Sequence, residues 1–337
     1  MHPFRFAVQV SELPFDSWRE RVRWYEDLGF TTISVPDHYT MWSWDPLTLM
    51  AAAAGVTRTA AVGSTVLNAA MRQPIDLARM AATLAEIAAG GCELGLGGGW
   101  TIDDFKIVGM PYDRGGVRLN RLEEYVQAIT LLWSGQTTTY RGDYIRLDDA
   151  PSVLPPTPTR RPKLLLGGTL PRALDLAGRH ADIVSVFPSL QSGKIGWPGW
   201  AEGSTIAHTA QQTAVARAGA ERAGRDPADL EFSTQISFTA VADDPGPLQE
   251  FVASSTGVPP SAQDDSTVFL TGTPAQARDR LQRRRDETGL SYFVVFDPVN
   301  NYAVEGSPTL PGDSGPGAAD RYLEAFADAV VRPLSGQ

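Results

Sequence analysis

Strand-like apolar runs alternate with helical patterns along most of this chain, and that alternation limits the possible folds more than any other feature. Phe15, Trp18, Val22 and Tyr25 recur at helical spacing after the first run, and Gly29 follows where such a helix would end. Strands are predicted over residues 4–10, 32–35, 60–66, 92–96, 163–166, 183–186, 230–237 and 292–296. Helices are predicted over residues 15–28, 46–54, 75–88, 118–132, 172–179, 207–223 and 318–331. Eight such alternations predict an α/β fold, a closed parallel (β/α)8 TIM barrel, with an open doubly wound sheet as the alternative.

The length of 337 residues would permit two domains, but α/β barrels often exceed 250 residues as one unit. We therefore predict a single domain over residues 1–337. Two segments fall outside the repeat. Residues 188–203 are rich in Gly and Trp and are predicted to form a lid loop, and residues 300–317, rich in Gly, Pro and Ser, to form a mobile insertion.

Composition and charge exclude several classes of protein. The net charge is −10 and the pI about 4.9, with no basic stripe, so we expect no nucleic-acid partner. No apolar run approaches the roughly 20 residues that span a bilayer, and the first residues lack the layout of a signal peptide. Cys92 is the only cysteine, which rules out an internal disulfide and a Cys-rich metal site. A cytoplasmic enzyme with a small-molecule substrate is expected.

One histidine stands out as a candidate for catalysis. In a parallel barrel, catalytic groups gather where strands end, and His38 follows the second predicted strand. The other three histidines are terminal or lie in helical patterns. A lone histidine is more often structural, but its place beside Asp37 and near Trp42 favours a role as proton donor or acceptor. No second histidine stands at ligand spacing, so no metal site is predicted.

Glycines follow the fourth strand, in the order Gly97, Gly98 and Gly99, before Trp100. This is not the dinucleotide-binding motif, because Trp100 occupies its last glycine position. The glycines predict either a tight strand exit or the close approach of backbone to a flat ring, and both can hold. Two acidic residues, Asp103 and Asp104, come next.

A second glycine turn follows the fifth strand. Gly167, Gly168 and Thr169 precede Pro171 and a predicted helix, where free backbone N–H groups favour an anion such as a phosphate. Additional positive charge is expected there from Arg160, Arg161, Lys163 and Arg172.

Several aromatic residues also follow strand ends. Trp42, Trp44, Trp100 and Phe187 could belong to the core. A position at the barrel mouth favours a second interpretation, in which Trp42, Trp100 and Phe187 form the walls of a pocket for a planar substrate.

The order of motifs resembles that of the luciferase-like flavin and deazaflavin oxidoreductases. The resemblance covers roughly residues 4–186 and thins towards the C-terminus. The matching segments are VPDHYTMWSWDP, TAAVGSTVLNAAMRQP, LARMAATLAEIAAGGCELGLGGGW, DDFKIVGMPYDRGGVR, YVQAITLLWSG, YRGDYIRLDDA and RPKLLLGGTLPRALDLAGRHADIV.

The resemblance implies a coenzyme lying across the carboxyl ends of the strands. His38 would be the active-site histidine, Asp37 a coenzyme contact and Trp42 the aromatic residue that accompanies the histidine. Family members often carry a non-prolyl cis peptide after strand three, and the match falls on Thr65–Val66. Further coenzyme contacts are implied for Asn68, Gly97, Gly98 and Gly99, and phosphate contacts for Gly167, Gly168 and Thr169.

Departures from the family pattern indicate the branch. Gly98 stands where bacterial luciferases place an arginine for the flavin phosphate, and Tyr39 follows His38 where flavin monooxygenases often have a second histidine. Both differences favour the deazaflavin F420 over FMN. Trp100 replaces the catalytic glutamate of the deazaflavin sugar dehydrogenases, which argues against oxidation of a sugar phosphate.

The predicted activity is hydride transfer between F420 and a small organic substrate, with reduction of a C=C or C=N bond. One alternative is an FMN-dependent monooxygenase that forms a flavin peroxide and receives reduced cofactor from a separate reductase. Another is a non-catalytic flavin-binding barrel. The family resemblance also implies a homodimer, for which the Ala-rich helices over residues 47–54 and 77–88 are candidates.

Overall fold

The computed structural model describes residues 1–14, 16–40, 44–155, 160–188, 197–297 and 317–336. The chain forms two compact units. We call Ser11–Arg23 and Thr32–Gly167 the central unit, and Met1–Val10, Trp24–Thr31 and Gly168–Gln337 the terminal unit.

All eight strands predicted from the sequence are present, and each observed end lies within two residues of the predicted one. They are β1 (Arg5–Gln9), β2 (Thr32–Val35), β3 (Ala61–Ser64), β4 (Cys92–Gly97), β5 (Lys163–Gly168), β6 (Ile183–Val186), β7 (Glu231–Ile236) and β8 (Leu290–Phe296).

The helices follow these strands in most of the intervals. They are α1 (Trp18–Asp27), α2 (Pro46–Ala54), α3 (Pro74–Ile87), α4 (Ile102–Ile107), α5 (Gly115–Leu132), α6 (Pro171–His180), α7 (Trp197–Gly203), α8 (Ile206–Arg222), α9 (Gly246–Thr256), α10 (Pro260–Asp265), α11 (Pro274–Thr288) and α12 (Ala318–Phe326). Proline opens several of them, because its fixed φ suits the first turn and its missing N–H has no partner there anyway.

In the central unit, β2, β3, β4 and β5 pair in parallel in that order. A short strand, Leu67–Asn68, pairs with the end of β4. The sequence predicts one continuous strand over residues 60–66, but the structure interrupts it after Ser64. The next peptide, Thr65–Val66, is cis, as the family resemblance implies.

In the terminal unit, β1, β8, β7 and β6 pair in parallel in that order. The strands are almost fully buried, with Phe6, Phe293 and Phe232 among the largest enclosed side chains. Where β1 and β7 begin, Arg5 donates two hydrogen bonds of 2.7 Å to the carboxylate of Glu231.

Two pairs of strands lie outside the predicted repeat. In the central unit, Thr138–Arg141 and Arg146–Ala150 form an antiparallel hairpin. In the terminal unit, Phe238–Val241 pairs in parallel with Phe269–Gly272. Together with α9 and α10, this second pair encloses an apolar cluster formed by Ala201, Ala240, Leu248, Val252, Val258, Val268 and Phe269.

The two segments predicted to be irregular are only partly described. For the lid predicted at 188–203, residues 189–196 lie outside the described residues. Its last part is the helix α7, so the prediction of a loop throughout was wrong there. Of the insertion predicted at 300–317, Gly317 alone is described, and it precedes α12. Within the described ranges, no helix is long and apolar enough to cross a membrane.

Candidate active site

His38 follows β2, and a buried carboxylate holds its imidazole ring. The Nδ1 atom lies 2.6 Å from Oδ2 of Asp104, and the two side chains are 15% and 4% exposed. The other carboxylate oxygen, Oδ1, accepts hydrogen bonds from the backbone N–H groups of Tyr39 (3.0 Å) and Thr40 (3.3 Å) and from the Thr40 hydroxyl (3.0 Å). One side chain in the first turn of α4 therefore fixes both the ring and the backbone that follows it. The sequence places Asp104 after the fourth strand but does not pair it with His38.

Trp100 lies edge-on to the same imidazole. The two ring centroids are 5.4 Å apart at an interplanar angle of 80°, and Trp100 is 39% exposed. Its backbone carbonyl accepts a hydrogen bond of 2.7 Å from the Tyr112 hydroxyl. Arg118 stacks over the Tyr112 ring and donates to the carbonyl of Gly99. The loop after β4 is thus anchored beside His38, and it brings together two of the predicted site residues.

Trp42, predicted to accompany His38, lies outside the described residues. Its proposed part in catalysis and in substrate binding stays a prediction.

The carboxylate of Asp37 is engaged within the protein. Its Oδ2 accepts from Arg72 (2.5 Å) and from the N–H of Asn68 (2.9 Å), and its Oδ1 accepts from the second Arg72 nitrogen (3.1 Å). Burial lowers the pKa of Arg72, but the hydrogen bonds and charge of Asp37 outweigh burial and raise that pKa above its ordinary value. The pair therefore ties the end of β2 to the segment after β3. Sequence reasoning missed Arg72, although it lies inside one of the family motifs.

The side chain of Val66 lies between two of the predicted glycines. A Cβ at Gly97 would lie 2.7 Å from Cγ2 of Val66, closer than real side chains approach, and a Cβ at Gly167 would lie 3.6 Å from Cγ1. Thr65 is held by a hydrogen bond with Ser34, since the two hydroxyl oxygens lie 2.9 Å apart. Val66 is only half-buried, and so are Gly98 and Gly167. The Val66 side chain is therefore flanked by two glycines that add no side chains of their own, and we call Val66, Gly97 and Gly167 the Val66 face.

Asn68 and Gly99 pack against each other at the edge of this face. The Asn68 Oδ1 accepts from the N–H of Ala70 and so caps the short 3-10 helix that follows. A Cβ at Gly99 would lie 2.6 Å from the Asn68 amide nitrogen. The Asn68 carboxamide is thus engaged locally, and its contact with a coenzyme stays a prediction.

The second glycine turn packs against α6, the helix that follows it. A Cβ at Gly168 would lie 3.1 Å from the Cβ of Ala173, so close helix packing by itself accounts for a glycine there. The buried side chain of Gln212 donates to the carbonyls of Thr169 (3.2 Å) and Phe187 (3.1 Å). Gln212 was not identified from the sequence, which shows it only as a polar residue in a helix.

Phe187, predicted as a wall of the substrate pocket, has a packing partner in the terminal unit. Its side chain is partly buried against the apolar cluster around Phe269. Packing therefore accounts for this aromatic residue whether or not it also contacts a substrate.

The prediction of positive charge near Gly167 and Gly168 was wrong for Lys163 and Arg160. Lys163 begins β5, so it lies about 16 Å along the strand from the glycines that end it. Arg160 donates to the carbonyls of Ala88 and Ala89, at the end of α3. Both basic groups belong to the opposite end of the strand.

The described ranges contain no group of three or more His, Cys, Asp or Glu side chains that could hold a metal ion. The described side chains around His38 supply an imidazole, a buried carboxylate and an aromatic ring.

Comparison with known families gives a match over most of the chain. Residues 1–308 match the family model described as luciferase-like monooxygenase. The F420-dependent glucose-6-phosphate dehydrogenase of Microbacterium testaceum is 29% identical over 164 residues, which are 47% of this chain and 48% of that protein. The FMNH2-dependent dimethylsulfone monooxygenase of Pseudomonas fluorescens is 31% identical over 110 residues, 33% of this chain and 30% of that protein. The chain spans about half the length of the first curated relatives that it matches.

A likeness to solved structures extends over the whole chain. An F420-dependent secondary alcohol dehydrogenase, solved in complex with an F420–acetone adduct, superposes with a TM-score of 0.74 at 18% identity, covering 98% of each chain. At that identity the likeness shows the fold. The fold class is the luciferase-type (β/α)8 barrel, as the sequence predicts.

Proposed function

Since this chain belongs to the luciferase-like monooxygenase family, we propose that it is an oxidoreductase that transfers hydride between F420 and a small organic substrate. The direction that we propose is reduction of a C=C or C=N bond. The observation that carries the proposal is His38, a half-buried imidazole held by Asp104 at the carboxyl end of a barrel strand. Catalytic groups in this fold lie at that end of the strands.

The residues after β3 and β4 fit a planar ring. Val66 offers a half-buried isopropyl group flanked by Gly97 and Gly167, and Gly98 adds backbone without a side chain. A stacked tricyclic ring needs an apolar surface with a few polar groups, such as backbone amides, at its rim. When bound there, F420 would supply the hydride, and the ring carbon that replaces the oxygen-reactive flavin nitrogen disfavours peroxide formation.

His38 is proposed to transfer the proton that accompanies the hydride. Its Nδ1 faces Asp104, so a proton would pass to or from the substrate through Nε2. Because the carboxylate and the edge of Trp100 both restrict the ring, the imidazole is positioned before a substrate arrives.

Two observations favour F420 over FMN. The first is the F420 dependence named for the glucose-6-phosphate dehydrogenase relative. The second is Gly98, which offers no side chain for a flavin phosphate, while the neighbouring Arg118 is engaged with the backbone of Gly99. Because Trp100 stands in the position of the dehydrogenase glutamate, we do not propose a sugar phosphate as the substrate.

The second candidate function is an FMN-dependent monooxygenase. It is favoured by the match to a monooxygenase whose name includes FMNH2. This alternative shares the fold and His38, and it would require a separate reductase. The phosphate contacts of Gly167, Gly168 and Thr169, the homodimer and the cytoplasmic location stay predictions.

The proposal is tested by anaerobic assay of reduced F420 with a panel of electron-poor alkenes and imines. We expect F420 oxidation coupled one-to-one to substrate reduction. His38→Ala should lower kcat by about 10²- to 10⁴-fold, the usual contribution of a positioned proton donor, and leave the F420 Kd nearly unchanged. The matched control is His2→Ala, since His2 lies on the surface against the Ala228 carbonyl. Oxygen uptake with reduced FMN and an oxygenated product, without any F420 turnover, would establish the monooxygenase instead.

A further inference from the structure

We infer that Asp104 is a positioning residue that keeps Nδ1 of His38 protonated, so that in the proposed reduction the doubly protonated ring gives its Nε2 proton to the substrate and is left as the neutral tautomer protonated on Nδ1. The inference rests on the proposed role of His38 in hydride transfer. It assigns a task to one of the two acidic residues that the sequence analysis names without a role.

The direction of the hydrogen bond follows from the partners of Asp104. Its Oδ1 meets three groups that can only donate in this geometry, which are the N–H groups of Tyr39 and Thr40 and the Thr40 hydroxyl. A carboxylate in its ionised form only accepts hydrogen bonds. With Asp104 ionised, Oδ2 accepts as well, so Nδ1 of His38, 2.6 Å away, is the donor and carries the proton.

The carboxylate is also unable to turn away without loss. Rotation would break three hydrogen bonds to residues 39 and 40 as well as the bond to the ring. Asp104 is 3% exposed, so water would replace those bonds poorly. The position of the imidazole is thus coupled to four hydrogen bonds at one side chain.

The helix that carries Asp104 is anchored at that point. In α4, Asp104 and Phe105 are buried, whereas Ile102, Asp103 and Lys106 are exposed. The ring of Phe105 packs edge-on to Tyr112 at 5.2 Å. Asp103 therefore provides a matched control, since it has the same charge and the same helical turn but lies in solvent.

Asp104→Asn inverts the hydrogen bond in a predictable way. The side-chain oxygen of asparagine can still accept from residues 39 and 40, which leaves its NH2 group facing Nδ1. That group can only donate, so Nδ1 must become the acceptor and the proton moves to Nε2. Because the three contacts to the backbone and to Thr40 persist, we expect this variant to fold.

The test is the ¹⁵N NMR spectrum of His38 in apo protein labelled with ¹⁵N-histidine, with the signals assigned by comparison with His38→Ala. In the wild-type protein and in Asp103→Asn, the neutral ring should carry its proton on Nδ1, and in Asp104→Asn on Nε2. In the F420 assay, Asp104→Asn should lower kcat by about 10²-fold or more with KM within a few-fold, and Asp103→Asn should change neither by more than about 2-fold.

A wild-type ring protonated on Nε2, or the same tautomer in the wild type and Asp104→Asn, would overturn the inference. Since the NMR measurement needs no cofactor, it stands even if F420 is not the coenzyme. Inversion of the tautomer with unchanged F420 turnover would refute the positioning role in this reaction. Inversion in a protein that turns over FMN alone would refute the proposed function and retain the tautomer assignment.

Discussion

Replacing Arg72 by methionine should destabilise the protein, because the buried carboxylate of Asp37 loses its ion-pair partner. Arg72 and Asp37 form a two-point ion pair in which the side chains are 12% and 4% exposed. Methionine has a similar length and retains the apolar packing of the arginine stem, but it removes both hydrogen bonds and the charge. Asp37 would keep the N–H of Asn68 and no opposite charge from position 72.

The size of the effect follows from the burial of the pair. Breaking one side of a buried ion pair costs about 3–5 kcal/mol, and because the pair retains some contact with water we expect about 3 kcal/mol. At about 2.1 cal/mol/K of unfolding entropy per residue, a chain of 337 residues that unfolds as a whole loses about 1.4 °C in Tm per kcal/mol. Arg72→Met should therefore lower the Tm by about 4 °C.

The assay is differential scanning calorimetry at neutral pH, with Arg141→Met as the matched control. Arg141 forms an ion pair with Asp148 in which the side chains are 64% and 74% exposed, so its loss should cost about 0–1 kcal/mol and at most about 1.4 °C. Asp37→Asn combined with Arg72→Met should recover part of the lost stability, because it removes the unpaired charge. If Arg72→Met melts no lower than Arg141→Met, the ion pair does not hold the end of β2.

Two further variants test other contacts on which the site depends. Gly97→Ala should cost about 1–3 kcal/mol, because the new Cβ would lie 2.7 Å from Cγ2 of Val66. Adding Val66→Ala should relieve this clash, so the double variant should melt at a higher temperature than the sum of the two single losses predicts. Strictly additive losses in the melting curves would contradict this packing. Burial raises the pKa of Glu124, but hydrogen bonds from the backbone N–H groups of residues 143–145 outweigh burial and lower the pKa below its ordinary 4.5. The stabilisation of the hairpin turn is therefore complete above pH 4.5 and is lost as the pH falls through the lowered pKa. Hydrogen exchange at those amides should accelerate in Glu124→Gln at neutral pH, whereas in the wild type it should accelerate beyond the intrinsic pH dependence only below pH 4.5; equal protection in both proteins at pH 7 would refute the role of Glu124.

The sequence predicts the barrel strands well because each is a short buried apolar run, a signal that lies within a few neighbouring residues. It fails for Arg146–Ala150, which reads RLDDA and is mostly exposed, so its pairing with Thr138–Arg141 has no apolar alternation to reveal it. The parallel pair formed by Phe238–Val241 and Phe269–Gly272 is missed for a different reason. Its partners are 31 residues apart along the chain, measured between Phe238 and Phe269, and neither shows which strand it joins.

The candidate site shows the same division between local and distant signals. Strand ends and glycines identify the neighbourhood of His38 and Val66 from local sequence. The partner of His38 is 66 residues away along the chain, and the partner of Asp37 is 35 residues away. Such pairs are fixed by which strands are neighbours in the barrel, so charge alone could not select Asp104 or Arg72 among the other charged residues.

The most direct test of the proposed function is a paired equilibrium titration of the purified protein with F420 and with FMN, followed by the fluorescence of each cofactor. We predict that F420 binds at least about 10-fold more tightly than FMN, a difference of about 1.4 kcal/mol. Tight binding of FMN with no binding of F420 would contradict the account.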